Sequence, residues 1–134
     1  AEAAFGNGAI LASACDFRFM LAARGYFCLP EVDVNIPLLP GMYAVLKKAV
    51  PPYLLNEISI SGRRVGGKEA FETHLVQGVF ETREALEEGV RSFAKGFRKS
   101  RAVVREQKRR NYQWIKDVIE LDDPPLIDSL KLVV

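Results

Sequence analysis

The chain has 134 residues, 49% of them hydrophobic and 27% charged, with a formal net charge of +2. These proportions suit a globular chain with enough length for one hydrophobic core, and they exclude a disordered or low-complexity segment. Charges interrupt every apolar run before it reaches the ~20 residues that span a bilayer, no basic-then-apolar leader opens the sequence, and near-neutrality argues against a nucleic-acid binder.

In chain order, Ala1-Glu2-Ala3-Ala4 runs straight into Phe5-Gly6-Asn7-Gly8, a glycine-flanked loop, and Ala9 to Ala14 reads as a short buried helix that starts there. Phe17 to Leu21 reads as a strand and Tyr26 to Leu29 as its neighbour, because both are rich in aromatic and aliphatic residues. Leu39-Pro40-Gly41 is a turn that opens a helix from Met42 to Ala49, with Val45, Leu46 and Ala49 at helical spacing. Pro51-Pro52 ends that helix, since no helix interior tolerates the pair. Tyr53 to Ile60 forms another short helix, Gly66-Gly67 precedes a third through His74, and Gln77 to Phe80 is a brief strand. Cys15 and Cys28 sit in apolar stretches without metal-ligand spacing, so they are expected to be two buried thiols in a reducing compartment.

From Thr82 the pattern changes. Leu86, Val90, Phe93, Ala94 and Phe97 recur at helical spacing, the signature of an amphipathic helix with one buried face. A second helix, from about Arg101 to Glu120, carries Val104, Ile115, Val118 and Ile119 with Trp114 nearby. Asp122-Asp123-Pro124-Pro125 stops it and can cap a last segment from Leu126 to Val134. Two regions result: a core over residues 1–80 and a helical packing and oligomerisation segment over 81–134.

The stretch from Gly25 to Val34 carries the chemistry. A strand that must stop pairing at Pro30 delivers one carboxylate, Glu31, to its end, and the proline fixes where that side chain points. The Phe5-Gly6-Asn7-Gly8 loop, able to turn tightly at its glycines, can point backbone N–H groups at a developing negative charge where the helix starts.

Ala4-Phe5-Gly6-Asn7-Gly8-Ala9-Ile10-Leu11, Ala14-Cys15-Asp16-Phe17-Arg18, Leu29-Pro30-Glu31-Val32 and Leu39-Pro40-Gly41 resemble, in order and spacing, the successive motifs of the crotonase (enoyl-CoA hydratase/isomerase) superfamily. Ser61-Gly62-Arg63-Arg64, Lys68-Glu69-Ala70 and Leu75-Val76 continue the resemblance, which weakens after about Phe80. It implies an α/β fold: the C-terminal portion of a crotonase-like ββα spiral followed by a helical trimerisation tail. By the same comparison the chain meets the glycine loop without the strands and helix that precede it in the family. Roughly the first half of the fold would come from a separate chain, or the sequence is a fragment or truncation.

The resemblance also assigns roles. It makes the Asn7 amide half of an oxyanion hole for an acyl-CoA thioester, the second donor belonging to the N-terminal half of the fold. Each preorganised donor of this kind typically contributes about 3–4 kcal/mol. Phe5, Gly6, Gly8, Ile10 and Pro30 become the substrate-binding loop and pocket, and Glu31 the catalytic residue. A hydratase needs two carboxylates, matched here by Ile10 and Glu31, and Ile10 has no proton to give or take. A single glutamate beside an enolate-stabilising loop can instead move a proton from C2 to C4 of a 3-enoyl thioester. The pattern therefore looks closest to the Δ3,Δ2-enoyl-CoA isomerases of fatty acid β-oxidation, with negligible hydratase activity expected. The alternatives are an enoyl-CoA hydratase, or a catalytically silent fragment acting as an acyl-CoA-binding and assembly module.

No cofactor is implied beyond the coenzyme A of the substrate, and no metal: His74 is the only histidine and reads as a surface or capping residue. Asp16 reads as a structural cap or backbone anchor. Asp33 would share a face with Glu31 in an extended segment, yet the chain is expected to turn there. Expected partners are an acyl-CoA thioester and two further copies in a homotrimer, with no membrane. The expected compartment is the bacterial cytoplasm or, in a eukaryote, peroxisome or mitochondrion. Finally, Arg91, Lys95, Arg98, Lys99, Arg101, Arg105, Lys108, Arg109 and Arg110 form a basic run opposed only by Glu106. A solvated helix face is the first reading, a site for CoA phosphates the second, and a nucleic-acid patch the last, because aromatics interleave poorly with these charges.

Overall fold

A computed structural model describes residues 3–129 of the chain. The elements run β1 (Ala3–Phe5), α1 (Asn7–Ala14), β2 (Phe19–Leu21), β3 (Tyr26–Cys28), a 3-10 turn (Pro30–Val34), α2 (Pro40–Ala49), α3 (Pro52–Ser61), β4 (Val65–Gly66), α4 (Gly67–Glu72), β5 (Gly78–Phe80), α5 (Arg83–Gly96), α6 (Arg101–Leu121) and α7 (Asp123–Asp128).

The strands make two small sheets. In one, β3 lies between β1, which it pairs in parallel with Ala4 opposite Phe27, and β4, which it pairs antiparallel. In the other, β2 and β5 pair in parallel with Met20 opposite Val79. The expectation that the strand near Phe17 neighbours the one at Tyr26 is thus corrected. These two segments join different sheets, because β3 is already paired on both sides, by β1 and β4, and β2 takes β5 as its partner. Parallel pairing also turns Ala3-Ala4-Phe5 into a strand that its own alanines do not favour.

The core gathers where helices cover the first sheet. Phe27, Leu29, Leu46, Leu54, Ile58 and Leu75 are fully buried. On α3, Leu54, Leu55 and Ile58 share one face at spacings of one, three and four, and all three are buried. Pro40 and Pro52 stand in the first turns of α2 and α3, where a missing N–H costs nothing, and the Val50-Pro51 bend between these helices follows from the paired prolines.

The tail returns to this core at two points. Asp16, just past α1, takes Lys108 of α6 at 2.7 Å and Lys48 of α2 at 3.4 Å. Lys48 also donates to the carbonyls of Ala14 and Cys15, at the end of α1 where carbonyls lack helical partners, and lies 4.8 Å from the Tyr112 ring centre. Partial burial works to raise the Asp16 carboxyl, but the hydrogen bonds and charges of Lys108 and Lys48 outweigh it and hold it below the usual carboxylate range. Asp16 is therefore a side-chain ion anchor rather than a helix cap or backbone anchor. At the second point the buried Asp123 carboxylate accepts the Gly41 N–H at 2.8 Å.

Three further expectations are corrected. Cys15 is exposed and only Cys28 is buried, because Cys15 follows the last turn of a helix that is covered on one side. No residue of α5 is buried. Its apolar stripe meets the small β2–β5 sheet and Phe17, against which Phe93 and Phe97 pack edge-on while staying 38% and 43% exposed. The prolines at 124 and 125 sit inside the short helix α7 rather than before it. Of the segment from Leu126 to Val134, residues 130–134 lie outside the described residues.

Candidate active site

The parallel pairing of β1 and β3 sets the site. Phe5 stands opposite Cys28, so both strands end at one edge, and the Gly6 N–H extends the ladder by donating to the Cys28 carbonyl at 3.0 Å. Two loops therefore leave the sheet side by side: Gly6-Asn7 from β1 and Leu29-Pro30-Glu31 from β3.

The first loop turns directly into α1. Gly6 adopts φ 54° and ψ −123°, a conformation that L side chains rarely take, and its carbonyl receives the Ala9 and Ile10 amides at 2.8 and 3.2 Å. Among the described residues no acceptor meets the Asn7 or Gly8 amides, and both residues are exposed. These first-turn donors, at the positive end of the helix dipole, can receive an anionic oxygen.

The second loop is a 3-10 turn from Pro30 to Val34, closed by Asn35 in the left-handed conformation at φ 56°. The turn carries Asp33 away from Glu31, toward Gly62 at the end of α3, where a side chain on that glycine would collide with the Asp33 carboxylate. Glu31 instead faces the glycine loop: its Oε1 lies 3.5 Å from where a Cβ on Gly6 would stand, with Pro30 at 4.0 Å. Its Oε2 is buried and, among the described residues, accepts no hydrogen bond. Buried carboxylate oxygens are nearly always paired, so an orphan on the side chain that faces the glycine loop marks a place where a ligand's proton can be held.

Glu31 also lines a cavity of about 380 Å³ with Val32, Ile36, Pro37, Leu38 and Tyr43. Its wall is largely apolar, with the side chains of Asn35, Tyr43 and Ser59 as its uncharged polar groups. Of the residues marked from sequence, Gly6, Pro30 and Glu31 come together at the two loops, and Glu31 alone lines the cavity. Phe5 is half exposed at the end of β1, Asn7 and Gly8 stand at the helix start outside this cavity, and Ile10 is half-buried against the core. Tyr43 and Ser59 escaped the sequence reading, since each belongs to a helix whose spacing signals only packing. The apolar Val32, Val34 and Ile36 in a turn region were the legible sign, and all three are exposed.

The Cys28 thiol lies behind the site, donating to the Gly62 carbonyl at 3.1 Å, and burial pushes it up from the usual thiol range. Exposed His74, with φ 61°, ends α4 in the left-handed conformation and is far from a ligand's role. Among the described residues no group of three or more His, Cys, Asp or Glu side chains could hold a metal, and no helix is long and apolar enough to cross a membrane.

The chain is similar to known proteins. A family model described as enoyl-CoA hydratase/isomerase matches residues 2–117. The carnitinyl-CoA dehydratase of Escherichia coli K12 is 37% identical over 84 residues, which are 63% of this chain and 32% of that protein. An enoyl-CoA hydratase/isomerase family protein from Pseudomonas syringae superposes with a TM-score of 0.80 at 14% identity, over 92% of this chain and 54% of that one. A carnitinyl-CoA dehydratase from Mycobacterium avium 104 gives 0.65 at 22% identity, over 83% and 43%. The chain thus spans about a third of the length of the curated relatives it matches and about half of the solved ones.

Proposed function

The chain belongs to the enoyl-CoA hydratase/isomerase family, and from that premise we propose that it serves as the active-site part of an acyl-CoA double-bond isomerase. The observation that carries this reading is one carboxylate, Glu31, whose Oε1 faces a glycine loop and whose Oε2 is buried and unpaired among the described residues, where the helix-start amides of that loop also meet no acceptor.

The thioester oxygen of a 3-enoyl-CoA sits at the Asn7 amide. Glu31 takes a proton from C2, and the electron pair of the broken C–H bond spreads over the thioester as a dienolate. The amide holds the negative oxygen, and Glu31 returns the proton to C4, leaving the double bond between C2 and C3. No water takes part, and Ile10, at the position the family motif matches to a second carboxylate, packs into the core. The protein acts as a homotrimer and needs no cofactor.

Likeness to carnitinyl-CoA dehydratases favours a second reading, elimination of water from a 3-hydroxyacyl-CoA. That reaction has to deliver a proton to the departing hydroxyl at C3, and Glu31 alone would have to carry it from C2. The isomerase reading asks less of the single carboxylate. The test is a panel of a 3-enoyl-CoA, crotonyl-CoA and a 3-hydroxyacyl-CoA given to the full-length protein. Isomerisation should dominate, with hydration and dehydration at least about 10²-fold slower, the order expected when an acid–base partner is missing. Dehydration as the fastest reaction would establish the second reading instead.

A further inference from the structure

The turn that carries Glu31 ends on a backbone that few side chains accept. Asn35 stands at φ 56° and ψ 34°, in the left-handed region, and among the described residues only His74 shares a positive φ without being glycine. Asparagine tolerates these angles better than most residues, and a β-branched side chain is an outlier there. The reversal does two things to the site. It turns the Asn35 and Ile36 amides back onto the Glu31 carbonyl, the second at 3.1 Å. It also brings Ile36, Pro37 and Leu38 round to the cavity that Glu31 lines.

On the reading of Glu31 as the proton carrier, we propose that Asn35 is a positioning residue: its left-handed backbone, not its side chain, holds the Glu31 carboxylate toward the glycine loop. The chain before Glu31 is fixed by other means. Cys28 pairs with Phe5 in the sheet and donates its thiol to the Gly62 carbonyl at 3.1 Å, and Pro30 locks its own φ. The chain after Glu31 has no strand to hold it, so the two amides that Asn35 aims at the Glu31 carbonyl close the turn. A residue that refuses φ 56° would open the turn, withdraw those amides and let the carboxylate drift from the loop. Proton transfer is sensitive to such drift, since a displacement of about 1 Å can cost roughly a hundredfold in rate.

The test compares wild type, Asn35→Gly, Asn35→Val and Glu31→Gln in the full-length protein, following turnover of a 3-enoyl-CoA, affinity for a saturated acyl-CoA by calorimetry, and melting temperature. Asn35 is exposed, so neither substitution there empties the core. Glycine accepts the left-handed conformation and should stay close to the wild-type rate although it removes the side chain. Valine is strained there and should lose roughly ten- to a hundredfold in turnover, with acyl-CoA affinity falling far less. Should valine prevent folding, Asn35→Ala imposes a milder strain and should show the same loss in smaller measure. Equal losses with glycine and valine would assign the effect to the side chain. That result, or normal turnover by the strained variant whether or not it melts earlier, would overturn the positioning role and leave Glu31 in place. Turnover at the wild-type rate by Glu31→Gln, or none by the wild type, would remove the Glu31 reading and the role of Asn35 with it.

Discussion

Gly6 is where one residue's backbone holds the site together. At φ 54° an alanine would be strained, whereas its Cβ would meet Glu31 Oε1 at 3.5 Å, an ordinary contact. Strain rather than collision decides the outcome, and Gly6→Ala should cost about 1–3 kcal/mol in denaturant unfolding. The Asn7 amide would move with the relaxing backbone, so isomerisation should fall further than stability alone explains. Full stability in that variant would contradict the assigned conformation. At this scale the sequence was most legible: proline and glycine act locally, and Pro30 and Gly6 announced the turns that bring Glu31 to the loop. Tyr43 and Ser59 were hidden because their role depends on a cavity between two helices, which no spacing along either helix reveals.

Among elements, two carboxylates add polar ties between the tail and the core. The Asp16 carboxyl sits below its ordinary value of 3.8 in the folded chain. Its ion pairs therefore stabilise fully above about pH 4 and are lost as the pH falls through the lower folded value. Urea midpoints of the wild type should converge on those of Asp16→Asn as the solution is acidified, and parallel curves would contradict the ion cluster. Asp123 anchors the other end. Any side chain at Gly41 would run into the Asp123 carboxylate and Ile119, so α2 and the tail approach there only through glycine. Asp123→Ala leaves the Gly41 N–H without its partner and should cost about 1–3 kcal/mol, most of it recovered by Asp123→Asn, which keeps an acceptor. Equal losses in the two variants would mean that packing, not the hydrogen bond, joins the helices. The helices themselves were readable from period and proline, as Pro51-Pro52 and the long α6 show. Strand β1 was not, since two alanines and a phenylalanine become a strand only through pairing with β3.

Across the whole molecule, the pairing of strands far apart in sequence was the illegible part. Nothing near Phe19 says that its partner is Gly78 rather than the next strand along. In the other sheet, the parallel pairing of β1 with β3 makes those strands end together and so places a helix start beside a lone carboxylate. Apolar side chains of α5 left partly exposed, Phe93 and Phe97 among them, are consistent with the trimer proposed above, which sedimentation of the full-length protein would check. The central claim is that Glu31 carries the proton, and the most direct measurement compares wild type with Glu31→Gln on a 3-enoyl-CoA, following turnover and acyl-CoA affinity in the same preparation. Glutamine keeps the size and hydrogen-bonding reach but cannot shuttle a proton, so turnover should drop about 10²–10⁴-fold with affinity nearly unchanged. Isomerisation by the variant at the wild-type rate would contradict it.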